Sequence, residues 1–344
     1  MSAFLHVADP GLAASFQDCG REGYQRFGVP VSGALDAVSL QIANAVAGNA
    51  PGEAAIEVLG AGLALRVCAD SVTIATAGAA ASFVIETGQA SERVPAFQSA
   101  TARRGDLLRF PPPKESAVFY IAAAGGFDLP SVLGSASTTR RANLGGHRGR
   151  ALAAGDDLPL RRQCASERGA VWLDASIPAP KVLRVVRGPN LDFFTPRAFE
   201  TLFASAYTVA PDSDRMGLRL HGQPLERAIG GELTSQGTTA GAMQVPADGQ
   251  PILLLADRQT TGGYPRIATV TGADIAAAGR LAAGMSVRFE EVSREDAIAA
   301  LKARREWLAS LPSLLTPAEG ALSAERLLGA NLIGGVTSGA PEDG

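Results

Sequence analysis

The sequence predicts a mainly β protein built as two β-rich halves, with a few short helices and a helix near its C-terminal end. Three observations carry that expectation. Between residues 54 and 110, short apolar or β-branched runs recur, separated by Gly, Ala-Asp or Thr-Gly. Short strands with frequent turns are the pattern of a barrel or sandwich. The chain has 344 residues, enough for two domains of roughly 100–200 residues each. The halves also echo each other. The run 57–65 resembles 232–237 with 241–245, and 105–110 resembles 284–289, at nearly equal offsets.

In chain order, residues 4–7 and 13–16 read as strands, followed by a polar, Gly-rich connection to Asp36. Leu35, Val38, Ile42 and Val46 fall on one face at helical spacing, which predicts a helix over 36–47 ended by Gly48-Asn49. Asn44 lies off that stripe, and the pattern leaves its solvation open. Strands are expected at 56–59, 63–67, 72–76, 82–85, 107–110 and 117–124. A Ser/Thr-rich run, Ser135, Ser137, Thr138 and Thr139, then meets Arg140 and Arg141. Hydroxyl and guanidinium donors side by side suit a carboxylate or phosphate, and a solvated loop is the plainer reading. Residues 161–180 are polar and Pro-rich, as in a linker. The expected domains are therefore 1–165 and 181–292, with a helix and flexible tail over 293–344.

The second half opens with a strand at 182–186 and a helix with Thr195 as N-cap and Pro196 in its first turn. Strands at 207–209, 218–220 and 287–291 follow, with a short Ala-rich helix at 274–281 between the last two. Ser293 and Asp296 have capping-box spacing and start a final helix over 294–308.

Composition narrows the function. Hydrophobic content is 46% and charged content 19%, an ordinary globular balance. The net charge of −3 leaves no electrostatic footprint for nucleic acid. Cys19, Cys68 and Cys164 are far apart and form no CxxC, which fits a reducing cytoplasm and small buried hydrophobes. His6, His147 and His221 are isolated, so structural roles are expected rather than metal ligation. No signal peptide, membrane span, GxxxxGK[ST] or GxSxG motif is read in the chain.

The most informative stretch is 232–266. A buried strand at 251–256 ends in Asp257-Arg258-Gln259-Thr260-Thr261-Gly262-Gly263-Tyr264, and a second β-prone run follows. Gly262-Gly263 alone reads as a hairpin turn. A turn does not require Asp, Arg, Gln, two Thr and Tyr together, and loops on rigid scaffolds commonly carry function. On the half-to-half alignment this loop has no counterpart in the first half.

Asp18-x-Gly20-Arg21, Val31-Ser-Gly-Ala-Leu-Asp36, Gly134-Ser135-x-Ser137-Thr138, Asp214-Arg215-Met216-Gly217, Gly241-Ala-Met-Gln244-Val-Pro246 and the 257–265 block together resemble the biotin-dependent carboxyltransferase family. That family is also called allophanate hydrolase subunit 2, or KipA. The resemblance runs from about residue 4 to 293. It implies cyclophilin-like β-barrel halves and a B-type, KipI-like partner. With an A-type subunit as well, such an assembly opens 5-oxoproline to glutamate at the expense of ATP, with Mg. Two other roles exist on the same scaffold. One is transfer of a carboxyl group from biotin to urea or another amide; the other is non-enzymatic antagonism of a kinase inhibitor. Ala136, Gln236 and Met285 depart from the family's usual residues.

The resemblance implies a site on the polar block. Asp257, Arg258 and Tyr264 are expected to carry catalysis: Asp257 orients or accepts a proton from the amide nitrogen, Arg258 answers developing negative charge, and Tyr264 lines the pocket. Gln259, Thr260, Thr261, Gly262, Gly263, Gln244, Arg215, Arg21, Asp36, Ser137 and Thr138 are expected to bind substrate.

Overall fold

The computed structural model describes residues 3–318, apart from residues 61, 80, 89, 113–114, 166–168 and 232. The expected tail lies mostly outside the described residues. In the first half the strands are β1 (Phe4–Asp9), β2 (Ala13–Gln17), β3 (Ala55–Leu59), β4 (Leu63–Val67), β5 (Ser71–Ala77), β6 (Phe83–Thr87), β7 (Ala90–Val94), β8 (Ser99–Arg103), β9 (Leu107–Phe110), β10 (Val118–Ala123) and β11 (Asp157–Pro159), with helix α1 (Ala37–Ala47) after β2. A short β12 (Val171–Trp172) follows. The second half holds β13 (Val182–Arg187), α2 (Pro196–Ala204), β14 (Tyr207–Val209), β15 (Gly217–His221), β16 (Gln236–Gly237), β17 (Ala242–Gln244), β18 (Ile252–Leu254), β19 (Thr261–Gly262), β20 (Arg266–Val270), α3 (Ile275–Ala278), β21 (Ser286–Glu291), α4 (Arg294–Leu314) and β22 (Thr316–Pro317).

The fold is mainly β, as the sequence predicts. Strands β13-β20-β17-β18-β15-β14-β21 close a barrel, and its first and last strands in sequence pair in parallel. The first half arranges its strands in two sheets, β11-β1-β4-β9-β6-β7 and β2-β3-β10-β5-β8.

Side-chain alternation explains the layering. Along β10, Phe119, Ile121 and Ala123 face the core between the two sheets. Val118, Tyr120 and Ala122 face the other way, onto α1. A strand buried on both faces reads as an unbroken apolar run, as residues 117–124 do. Fully burying Leu40 and Ile42 of α1 against this sheet contributes roughly 1.5–3 kcal/mol each. Asp36 caps α1, its Oδ1 accepting from the amides of Val38 and Ser39 at 3.1 Å each. Gly48, at φ +80°, ends the helix in the left-handed region. Asn44 is buried, because its amide donates to the Glu53 carbonyl at 2.7 Å and its oxygen accepts from Asn49.

Three expectations need correction. The final helix runs to Leu314 instead of Leu308, with Pro312 in its last turn. The apolar contacts of Leu308 and Leu311 in the cluster that holds α1 carry it past the expected end. Residues 161–180 are not a free linker: β12 pairs with β22, Val171 with Pro317 and Trp172 with Thr316. The cysteines are not buried hydrophobes. Cys19 and Cys164 are exposed and Cys68 is half-buried, since each sits in a connection outside the apolar strand runs. Among the described residues no helix is long and apolar enough to cross a membrane.

Candidate functional site at the seam of the two halves

Strand β18 ends beside the turn that precedes β15, and the backbone laces the two together. Leu255 N donates to Met216 O at 2.8 Å and Asp257 N to Arg215 O at 2.9 Å. This sets the side chains of Arg215 and Asp257 side by side. Arg215 Nε donates to Asp257 Oδ2 at 2.8 Å and Nη2 to Asp257 Oδ1 at 3.1 Å. The same guanidinium reaches into the first half, donating to Glu57 Oε1 and to Gly33 O at 2.7 Å. Ser32 donates to Asp257 from that half as well.

Glu57 sits on β3 and is buried. Its second oxygen accepts from Leu35 N at 2.9 Å and from the Tyr120 hydroxyl. Burial, then the Glu57 and Asp36 carboxylates, push the Tyr120 hydroxyl well above the usual tyrosine range, so it remains a donor. Burial works against the Arg215 cation, but Glu57 and Asp257 outweigh it and hold its pKa above the ordinary arginine value. A second buried pair, Arg280 Nη1 to Asp36 Oδ2 at 2.8 Å, crosses the same seam.

Arg258 is different. Its side chain is buried, yet its hydrogen bond is a long one, Nη1 to Leu255 O at 3.3 Å. Nε is buried with no hydrogen-bond partner among the described residues. Burial lowers its pKa, and among the described residues no neighbouring carboxylate opposes it.

A cleft of ≈ 840 Å³ opens over these residues, lined by Arg140 and Arg141 on one side and by Asp214, Arg215 and residues 257–260 on the other. Arg141 approaches Asp214 across it at 3.6 Å. Leu12, Gly28 and Pro30 complete the wall from the first half. The arrangement offers guanidinium, amide and hydroxyl donors with two carboxylates, Asp214 and Asp257, each already facing an arginine, which suits a small polar anion. Among the described residues no group of three or more His, Cys, Asp or Glu is placed to hold a metal ion.

The family model of the carboxyltransferase domain, subdomains A and B, matches residues 27–291. The chain belongs to the carboxyltransferase domain family. It is 36% identical to the C subunit of the Haemophilus influenzae 5-oxoprolinase over 85% of this chain and 93% of that protein. It is 34% identical to the C subunit of the Escherichia coli 5-oxoprolinase over 88% of this chain and 94% of that one. It superposes on the crystal structure of the K. lactis urea amidolyase with a TM-score of 0.81, at 28% identity, covering 90% of this chain and 20% of that enzyme. The chain thus spans one fifth of the length of that larger enzyme.

In this carboxyltransferase-domain chain, Asp257, Arg258, Gln259, Thr260 and Arg215 come together in the cleft. Thr261 and Gly262 leave it to form a small ladder with β16, and Gly263 O accepts from Leu233 N at 2.7 Å. Tyr264 follows, half-buried, outside the cleft wall. Gln244 is buried behind the loop, its Oε1 accepting from Gln259 Nε2 at 3.4 Å.

The remaining candidates support the walls. Arg21 is buried and donates to Thr139 Oγ1 and Ser137 O. Burial lowers its pKa, with Asp18 and Asp257 opposing. Ser137 is buried and donates to Asp18. Asp18 also accepts from Ser135 Oγ at 2.7 Å and Ala136 N at 2.6 Å, so the run is folded around a carboxylate of its own chain. Thr138 is buried, and its carbonyl accepts from Gln17 Nε2 at 3.1 Å. Asp36 is spent on the α1 cap and Arg280.

Glu57, Ser32 and Arg280 were not among the sequence-derived candidates, although they complete the seam. Glu57 and Arg280 each carried a signal. Glu57 is the charged residue within an apolar strand, and Arg280 the charged residue in an Ala-rich stretch; both types are rarely buried without a partner.

Proposed function

We propose that this chain is the C-type subunit of an ATP-dependent 5-oxoprolinase, acting with A- and B-type partner subunits, and that the seam cleft receives the amide substrate. One contrast carries this reading. Arg215 has its charge answered by Glu57 and Asp257. Arg258 lines the same cleft, as deeply buried, with no carboxylate beside it among the described residues. A buried cation in that state favours an anionic ligand. 5-Oxoproline supplies a carboxylate next to a lactam.

In this reading Arg258 binds the substrate carboxylate. A carboxylate offers roughly four acceptor sites, and Asp257 uses three of them on Ser32 and Arg215. The remaining one orients the lactam N–H. Gln259 and Thr260 donate to the lactam oxygen, where negative charge grows as water attacks. Water's oxygen ends on the new carboxyl group, the ring C–N bond breaks and the nitrogen gains protons. Thr261, Gly262, Gly263, Gln244 and Tyr264 act through the hairpin that holds Gln259. Arg21, Ser137, Thr138 and Asp36 position the walls. ATP with Mg is a co-substrate of the assembly, and Arg140 and Arg141 at the cleft mouth suit an anionic group. A cytoplasmic setting goes with this reading.

A second reading is supported by the family model's description and the superposition on urea amidolyase. There the cleft passes a carboxyl group from biotin to an amide nitrogen, the biotin being carried by another chain or domain. The cleft volume lies within the usual range of small-ligand sites and leaves room beside a urea-sized substrate.

The test is reconstitution with both partner subunits, ATP and 5-oxoproline. Glutamate formation that falls at least about 100-fold in Arg258→Met, equivalent to about 2.7 kcal/mol, is the expected result. Undiminished turnover in that variant removes the site assignment. Amide-dependent consumption of carboxybiotin without glutamate formation selects the second reading.

A further inference from the structure

Arg258 borders two cavities. Beyond the cleft it also lines a separate pocket of ≈ 450 Å³. Both halves build that pocket: Glu22, Gln25 and Ser32 come from the first, and Ala240, Leu255 and Ile275 from the second. Most of the wall is apolar. Its charged members are one cation, Arg258, and one anion, Glu22. Glu22 is exposed at the rim, and Arg258 is buried with Nε unpartnered. The pocket therefore pairs a buried cation, uncompensated among the described residues, with a solvated carboxylate across a short apolar surface.

We propose that this second pocket is an α-amino-acid site and that it holds glutamate freed by ring opening. The inference rests on the 5-oxoprolinase reading above. 5-Oxoproline carries one charge, its carboxylate, because its nitrogen is an amide. Hydrolysis converts that nitrogen to an ammonium and adds a second carboxylate. The product, and not the substrate, has a cation for Glu22. Arg258 reaches both spaces and so holds a carboxylate on either side of the seam. With the ammonium at Glu22, the methylenes cross Leu255 and Ile275 to carry the γ-carboxylate to Arg258, and the α-carboxylate stays solvated beside the ammonium at the exposed rim. The volume admits an amino acid comfortably, and the isolated opposite charges select a zwitterion over a simple monoanion.

The test is titration calorimetry on the full chain with L-glutamate, acetate and 5-oxoproline. L-glutamate is expected to bind, and acetate to bind at least about tenfold more weakly, equivalent to about 1.4 kcal/mol. Glu22→Gln is expected to weaken glutamate by a similar factor and leave 5-oxoproline unchanged. Ala240→Leu, which fills the pocket without touching its charges, is expected to abolish glutamate binding with 5-oxoproline again unchanged. Glutamate affinity equal in the wild type and both variants overturns the proposal, as does no binding at millimolar glutamate. The two readings fail separately. A reconstituted assembly that makes no glutamate, while Glu22-dependent glutamate binding persists, refutes the activity and leaves the amino-acid site standing. Turnover without glutamate binding does the reverse.

Discussion

Arg280 donates to Asp36 at 2.8 Å across a separation of 244 residues, with both side chains buried. The same arginine donates from Nε to Pro178 O at 3.1 Å, and its carbonyl accepts from Ala117 N at 2.8 Å. One residue thus ties the cap of α1, the entry to β10 and the connection into the second half. Removing one member of a buried pair costs about 3–5 kcal/mol, because the other charge stays buried. Arg280→Met is expected to lower stability by that amount, read as a fall in the urea midpoint. The double variant Asp36→Asn, Arg280→Met is expected to recover part of the loss, since Asn still caps a helix.

Arg215 and Arg258 should respond in opposite ways. Arg215→Met leaves buried Glu57 and half-buried Asp257 without their cation, at a cost of about 3–5 kcal/mol. Among the described residues Arg258 has no carboxylate to strand, and its burial disfavours its own charge. Arg258→Met is expected to stabilise the chain by about 1 kcal/mol and raise Tm by about 1–2 °C. Thermal unfolding of the two variants side by side checks this, and a fall in Tm for Arg258→Met contradicts it.

The strands and helix caps were legible because they are local. Asp36, Gly48, Thr195 and Ser293 act within one turn of the helices they bound, and β10 announces itself as an apolar run. The polar block at 257–260 was legible for a related reason: its residue types exceed what a turn needs. What the sequence hid was pairing over distance. Glu57 reads as a stray charge until Arg215 arrives 158 positions later. Ser137 and Arg21 read as ligand donors because their partners, Asp18, the Val132 and Ser137 carbonyls and the Thr139 hydroxyl, are indistinguishable in sequence from solvated loop. The pairing of β22 with β12 joins two segments that carry no strand pattern of their own.

Stability should fall on acidification in two stages. Asp156 is held down to about 2 by the Arg150 hydrogen bonds, against burial, with help from Ala153 N. Its folded pKa lies below its unfolded value of about 3.9. Its contribution is therefore complete above about pH 5 and is lost as the pH falls towards 2. His147 packs against the same carboxylate at 3.4 Å, and burial lowers its pKa against the pull of Asp156. The unfolded chain then binds the His147 proton first, so stability also falls as the pH drops through about 6.5. Asp156→Asn is expected to remove about 2 kcal/mol at pH 7 and to flatten the acid limb. Urea titrations at pH 7, 5 and 3 read both effects.

Gly262 separates stability from site geometry. A Cβ there would lie 2.5 Å from Gln244 Nε2 and 3.0 Å from Gln259 Nε2. Both neighbours are ends of flexible side chains, so the backbone of β19 need not move. Gly262→Ala is therefore expected to change Tm by no more than about 2 °C, corresponding to under about 1 kcal/mol. The amide of Gln259, however, must leave its contact with Gln244, and Gln259 lines the cleft. Substrate affinity in the reconstituted assembly is expected to fall about tenfold, or about 1.4 kcal/mol. Gly237 is the control. It pairs with Thr261 on the neighbouring strand, and its Cβ position is open, so Gly237→Ala should leave both Tm and KM unchanged. Equal KM values for the two alanine variants would show that Gln259 does not contact the substrate.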